Sequence, residues 1–201
     1  MINQSKMLIL IASFFAITQL SAQDKFSLGP RAGLNFSSIS NVDNSKSLTG
    51  LAVGLTTTYS INETSGITVD LLYSGQGYKV GIDEYKITYL QIPIYFDLFF
   101  GELGQSFRPK AYVGLAPHVL LNAKYNEDKV SKDQLSAVNL ALSGGLGFNL
   151  RVVNRVWLNT DLRAFLGLSD YRDKEFQTEN KRAMSTVQFS LGLAYGISKY
   201  E

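Results

Sequence analysis

The sequence predicts an all-β protein, an eight-stranded antiparallel transmembrane β-barrel behind an N-terminal signal peptide. Three observations lead there. Large apolar residues alternate with small or polar ones in eight stretches along almost the whole chain. The second face of those stretches is mostly Gly, Ser, Ala, Thr and Asn, where a water-facing strand would carry Lys and Glu. The apolar run at the amino terminus is too short to cross a bilayer as a helix. Period two makes a strand with two chemically different faces. Small polar side chains suit a narrow enclosed interior, so the bulky apolar face must look outward into lipid.

The elements follow in order. Lys6 precedes the apolar run Met7 to Ile17, and Leu20-Ser21-Ala22 ends in a small residue. This reads as a signal peptide over 1–22, cleaved before Gln23, with 23–201 forming one barrel domain. The run of about 11 residues falls short of the roughly 20 that a membrane helix needs. Strands are predicted at about 26–37, 48–60, 66–77, 86–99, 109–123, 136–150, 156–168 and 186–199. Each reaches the 9–11 residues or so of a tilted membrane strand. The first presents Phe26, Leu28, Ala32, Leu34 and Phe36 outward; the second Leu51, Val53, Leu55, Thr57 and Tyr59; the third Ile67, Val69, Leu71 and Tyr73. The fourth offers Leu90, Ile92, Ile94, Phe96 and Leu98, and the fifth Val113, Leu115, Pro117, Val119 and Leu121. Val138 to Leu150, Val156 to Leu168 and Val187 to Ile197 continue the pattern. These outward positions carry no charge, as lipid contact demands.

The connections alternate. Ser38 to Ser47, Tyr78 to Tyr85, Lys124 to Leu135 and Ser169 to Ser185 read as polar and mostly long, and would face the cell exterior. Ile61 to Ser65 and Val152 to Arg155 read as short periplasmic turns, with Gly101 to Phe107 intermediate. Outward aromatics Phe26, Tyr59, Phe96, Phe148 and Tyr195 fall at the short-turn ends and would form an interfacial girdle. Pro30, Pro93 and Pro117 lie inside strands and remove ladder donors, so breaks or bulges are expected there.

Composition narrows the function classes. The formal net charge is +2 and the Lys and Arg are dispersed, which gives no case for nucleic acid. The chain has no Cys, so neither a lipid anchor at the cleavage site nor a disulfide is available. Export to a Gram-negative outer membrane is the localisation that remains.

Tyr89-Leu90-Gln91-Ile92-Pro93-Ile94, followed by Arg108-Pro109-Lys110-Ala111-Tyr112-Val113-Gly114-Leu115-Ala116-Pro117, resembles paired strands of the PorT-type outer-membrane β-barrel family, among the OmpX/OmpA-like eight-stranded barrels. Gly29-Pro30-Arg31-Ala32-Gly33-Leu34-Asn35-Phe36-Ser37 is similar to that family's first strand, and Leu191 to Tyr195 to its last. Gly-Leu-Ala-Pro at 114–117 departs from the commoner Gly-Gly-Pro. The resemblance implies the barrel fold and an accessory role in a protein secretion and gliding apparatus.

Candidate functional residues are few. Arg31, Asp70, Asp97, Asp161 and Arg163 fall on the inward face in the periplasmic half. An ion path is one reading; a salt-bridge plug is favoured, because eight strands leave room for little beyond side chains. The single histidine, His118, points inward near the outer end of the fifth strand. A general-base role would need a nearby Ser and acid, and no readable spacing supplies them, so polar filler is preferred. No second His and no Cys means no metal site, and no cofactor is expected. Asp43, Glu84, Glu127, Asp128, Asp133, Asp170, Asp173, Glu175 and Glu179 decorate the long connections, mixed with Arg172, Lys174, Lys181 and Arg182. They read first as solvated loop charge, and second as ligands for divalent cations or lipopolysaccharide phosphates.

The expected function is a non-enzymatic integral outer-membrane protein, an accessory or scaffold for an envelope protein assembly. The alternatives are an adhesion or interaction barrel acting through its outer loops, then a small channel or lipid-modifying enzyme. Expected partners are outer-membrane lipid, lipopolysaccharide and other envelope proteins, with a monomeric barrel and no nucleic acid. A soluble lipocalin-like barrel is the competing fold; it would need an apolar interior and a charged exterior.

Overall fold

The computed structural model describes residues 26–101, 105–126, 128–129, 135–172 and 182–197. The signal-peptide segment 1–22 lies outside them, as do Glu127, Asp133, Asp173, Lys174, Glu175, Glu179 and Lys181. The described strands are β1 (Phe26–Ile39), β2 (Ser45–Ser60), β3 (Ser65–Val80), β4 (Asp83–Gln91), β5 (Ile94–Phe99), β6 (Phe107–Tyr125), β7 (Asp128–Lys129), β8 (Val138–Val153), β9 (Val156–Gly167) and β10 (Met184–Gly196). All pairings are antiparallel, and β1 pairs both β2 and β10, so the sheet closes on itself.

Nine segments make the ring, and two of them share one place in it. Both β4 and β5 lie between β3 and β6. Their registers are continuous across the gap: Leu72 faces Gln91 and Val69 faces Ile94 on one side. On the other, Gln91 faces His118 and Ile94 faces Leu115. The wall therefore has eight strand positions, the fourth interrupted at Ile92-Pro93.

Closure removes the exposed edges that an open sheet would present. Alternation then sorts the side chains. In β1 the outward positions from Phe26 to Ser38 are exposed while Arg31, Asn35, Ser37 and Ile39 are buried. Outward apolar residues are exposed on every long strand, among them Leu51 at 64% and Leu146 at 67%. That much apolar surface on all sides is what a lipid-embedded wall carries. Phe26 stands opposite Tyr59, Tyr59 opposite Ile67, and Ile67 opposite Phe96. Phe148 packs against Phe107, with ring centroids 5.4 Å apart, and Tyr195 stands opposite Leu28. The anticipated aromatic girdle is thus assembled at one end, with Phe107 added to it.

Prolines act less uniformly than expected. Pro93 interrupts its strand, because its nitrogen cannot donate to the ladder. Pro30 and Pro117 instead sit within continuous β1 and β6. The β1–β10 pairing skips Gly29 and Pro30 and resumes in the same register at Arg31. Bulges occur elsewhere, between Thr88 and Tyr89 on the β4–β6 ladder and between Ser47 and Ala52 on the β2–β3 ladder.

The connections also need one correction. Tyr78 to Tyr85 is not a long loop. The strands run on to Val80 and Asp83, leaving a two-residue turn at 81–82. Gly81 has φ +63°, the left-handed backbone that a tight hairpin asks of one of its two central residues. Ile82 at the tip is 97% exposed. At the opposite end, the Asn62 side chain accepts from the backbone N–H groups of Thr64 and Ser65 at 2.9 and 2.8 Å, an Asx turn that fixes 61–64. We call the end bearing 81–82 and 168–172 the loop end, and the end bearing 61–64 and 154–155 the turn end.

Candidate functional site

The interior is layered, and each layer follows from the inward residues of several strands. Nearest the turn end, guanidinium groups lie over aromatic rings: Arg108 over Phe99 at 4.4 Å and Arg151 over Trp157 at 4.9 Å. Arg108 also donates to the backbone carbonyl of Glu63.

The charged layer comes next. Arg31 donates to Asp161, and its Nε lies 3.5 Å from Asp70. The same guanidinium reaches Ser190 at 3.0 Å and Thr56 at 3.2 Å. Arg163 binds Asp70 at 2.5 Å and lies 3.6 Å from Asp161. β9 and β3 stand opposite each other in the ring, so the Arg163–Asp70 pair crosses the full width of the lumen. Asp97 is held differently. Its carboxylate accepts from Thr68 Oγ1 at 2.6 Å, and it makes no ion pair among the described residues.

All five of the anticipated charges are buried and grouped. A sixth was missed. Lys110 is buried and its ammonium lies 2.9 Å from Asp161. Parity along the strand carried the signal: if Val113 and Leu115 point outward, Lys110 and Tyr112 point inward. With Lys110 included, three cations meet three carboxylates, and the cluster is neutral, where the five alone sum to one net negative charge. Neutrality matters because each unpaired charge taken out of water costs several kcal/mol or more.

Glycine makes room for the web. Gly147 lies between Lys110 and Asp161 in register. A Cβ there would sit 2.5 Å from Asp161 Oδ1. Bare backbone at this place lets the lysine reach across β8 to the carboxylate. Gly145 does the same for Tyr112, whose hydroxyl a Cβ would meet at 2.7 Å. Tyr95 and Tyr112 then flank Arg163, their ring centroids 5.0 and 5.7 Å from its guanidinium carbon. Tyr95 and Ser143 share a hydrogen bond of 2.9 Å.

Above the charges lies an amide and hydroxyl layer. Gln188 donates to Asn35 at 2.8 Å, and Asn35 donates to Ser74 at 2.9 Å. His118 belongs here. It is buried, with Nε2 3.0 Å from the Gln91 amide, and its ring packs 5.4 Å from Tyr89 and 6.0 Å from Phe165. No carboxylate touches it among the described residues. A cavity of about 10 Å³ beside it is too small for a substrate. Among the described residues no group of His, Asp and Glu could hold a metal ion.

The loop end is closed by an apolar and tyrosine-rich cap, which alternation toward small residues did not foreshadow. Ile39, Tyr78, Ile87, Tyr89, Leu120 and Met184 pack together with Tyr171. Tyr78 stacks on Tyr85 at 4.7 Å and hydrogen-bonds the Tyr171 hydroxyl at 3.0 Å. Tyr171 comes from the β9–β10 connection and is fixed there by its neighbours. Its carbonyl accepts from Ser136 N–H at 2.9 Å, and its N–H donates to the carbonyl of Arg182 at 3.0 Å. Asp170 clamps this segment, accepting from the Arg172 side chain at 2.8 and 3.1 Å and from the backbone N–H groups of Arg172 and Arg182, each at 3.0 Å. Partial burial works against its charge, yet these hydrogen bonds hold its pKa down at about 2, so the clamp stays ionised at neutral pH.

A family model described as "Outer membrane protein beta-barrel domain" matches residues 19–173. Several solved structures share the architecture. Neisserial surface protein A is 16% identical with a TM-score of 0.63, covering 86% of this chain and 97% of its own. Outer membrane protein W of E. coli is 14% identical with a TM-score of 0.51, covering 89% and 100%. OprG from Pseudomonas aeruginosa is 17% identical with a TM-score of 0.50, covering 86% and 95%. At these identities the likeness is one of fold. A search of curated proteins found no match.

Proposed function

Because this chain belongs to the outer membrane protein beta-barrel domain family and resides in the outer membrane, we propose that it is a closed, non-enzymatic barrel that works through its loop end. Its role in this reading is an accessory or scaffold for an envelope protein assembly. The observation that carries the reading is the filled lumen. Charged, amide and tyrosine layers succeed one another, and one ion pair spans the whole width. A barrel filled in this way has its exposed ends left for work. The secretion-type role rests on the sequence resemblance to the PorT-type family and is part of the proposal. The non-enzymatic reading is supported by His118, whose neighbours are an amide and two rings.

Two measurements test this. Reconstituted in a planar bilayer, the protein should give no steady conductance. A large, cation-selective conductance would overturn the closed barrel and put a channel in its place. A photo-crosslinking residue at Ile82 should then capture a discrete envelope protein in living cells. Adducts to surfaces of other cells would favour the adhesion reading instead.

Sidedness is a further expectation. The chain has no cysteine, so Ile82→Cys and Glu63→Cys each create a unique thiol. An impermeant maleimide should label the Ile82→Cys variant on intact cells, and the Glu63→Cys variant only after the outer membrane is breached. The reverse pattern would invert the orientation.

A further inference from the structure

A row of tyrosines runs out of the loop end, and its last ring is exposed. Tyr78, Tyr85 and Tyr125 stand directly opposite one another across β3, β4 and β6, so they share one face, the inward one. Tyr171 meets the buried end of the row, edge-on to Tyr78 with ring centroids 6.3 Å apart. Tyr78 stacks on Tyr85 at 4.7 Å, and Tyr85 meets Tyr125 at 4.9 Å. Burial falls along the row: Tyr78 is buried, Tyr85 half-buried and Tyr125 37% exposed. The exposure has a structural cause. The ladder of β8 on β6 ends at Val119, whereas β4 follows β6 to Tyr125, so the row finishes above the closed wall.

The exposed end is acidic and well anchored. The Tyr125 hydroxyl donates to the Asp83 carboxylate, and Asp128 stands directly opposite Tyr125 on β7. Asp83 shares the face of Tyr85 by strand parity, while Lys79, Lys86 and Lys124 fall on the other face. Asn126 ties the start of β4 to the end of β6. Its side chain donates to Asp83 at 2.7 Å and accepts from the Glu84 N–H at 2.8 Å, and its own N–H donates to the Glu84 carbonyl at 3.0 Å. Arg182 acts electrostatically on Tyr78 and Tyr85, toward the buried end. Among the described residues no cation lies over the Tyr125 ring.

The lumen of the same chain holds the completed form of this set. There Arg163 lies against Tyr95 and Tyr112 while facing Asp70 and Asp161. At the rim the tyrosines and two carboxylates are in place, and the guanidinium has to come from outside. We propose that the end of the row is a docking site for an arginine side chain of a partner protein, its guanidinium against the exposed face of Tyr125 and its charge offset by Asp83 and Asp128. The inference deepens the loop-end reading above and rests on it. Charge complementarity selects the occupant, because a ring face attracts cations and the flanking groups are anionic. Arginine suits the site better than lysine: its planar fork stacks on a ring and binds a carboxylate at the same time. The bonds from Asp83 and Asn126 fix the platform beforehand, which keeps the cost of ordering it on binding low.

The test uses the purified full chain in detergent micelles with isotope-labelled tyrosine rings. The Tyr125 signal is assigned by its loss in Tyr125→Leu and followed by NMR. Three probes are added to the wild type: glycyl-arginyl-glycine amide, the same peptide with uncharged citrulline in place of arginine, and maltose. The arginine peptide should shift the Tyr125 signal saturably, with a dissociation constant on the order of 1 mM. The citrulline peptide should bind about tenfold more weakly, the loss expected when a charge-assisted contact is removed. Asp128→Asn should weaken the arginine peptide about threefold, the effect of one exposed charge pair. Equal binding of the citrulline peptide, or no shift with any probe, would overturn the proposal. A shift with maltose and none with arginine would make the row a carbohydrate platform and overturn it as well. The probe comparison uses the wild type alone, so it does not depend on a variant folding. Peptide binding without capture of an envelope protein at Ile82 would remove the scaffold reading and leave this site standing. Capture at Ile82 without a Tyr125 shift would do the reverse.

Discussion

Asp161→Ala should lower the heat stability of the barrel more than any other single lumen change. The Asp161 carboxylate is fully buried and faces Arg31, Lys110 and Arg163 together. Removing it leaves three cations around Asp70 and Asp97. Breaking a buried charge pair from one side costs about 3–5 kcal/mol, an upper guide here because water entering the vacated space can re-solvate the cations. Urea unfolding in lipid vesicles would measure the loss, with the temperature of the gel-mobility change as a second readout. Asp97→Asn should cost much less, since the Asp97 carboxylate holds a hydroxyl rather than a guanidinium. Equal stabilities for wild type and Asp161→Ala would show that the web contributes nothing.

The second large effect lies on the opposite face of the same wall. Leu115 is exposed, points outward near the middle of β6 and stands between Ile94 and Leu142. Leu115→Arg should destabilise the folded barrel by about 2–4 kcal/mol, the cost of placing Arg near the bilayer midplane on a barrel exterior. Lys124→Arg, at the loop end of the same strand, should change stability little. The contrast is what a lipid-facing band demands. A barrel that accepted the Leu115→Arg change without loss in vesicles would not have lipid against that surface.

Much of this was readable from residue order. Period-two alternation located the strands to within a few residues, because side-chain direction in a strand is a local property of the backbone. The same parity placed Arg31, Asp70, Asp97, Asp161 and Arg163 inside. Applied to the predicted strand 109–123, it also turns Lys110 inward, although the expected cluster held only five charges. The long-loop expectation at 78–85 failed for a different reason. Polar residues there continue the strands beyond the apolar band, and composition cannot distinguish a protruding hairpin from a loop.

The sequence by itself determined the class of the protein: a closed antiparallel wall with lipid outside, a polar core inside and charge kept off the apolar band of the outer face. These follow from which residues alternate, and alternation is written along one strand at a time. Only the tertiary structure decided which inward residues meet. Arg163 reaches Asp70 because strands far apart in the chain face each other across the lumen. Lys110 reaches Asp161 because a glycine lies between them in register. Tyr171 caps the mouth because its backbone is hydrogen-bonded to Ser136 and Arg182, which sets its ring among Tyr78, Ile87 and Met184. Such meetings depend on stagger between strands and on the curvature of the closed sheet, and neither is encoded in the pattern of any single strand.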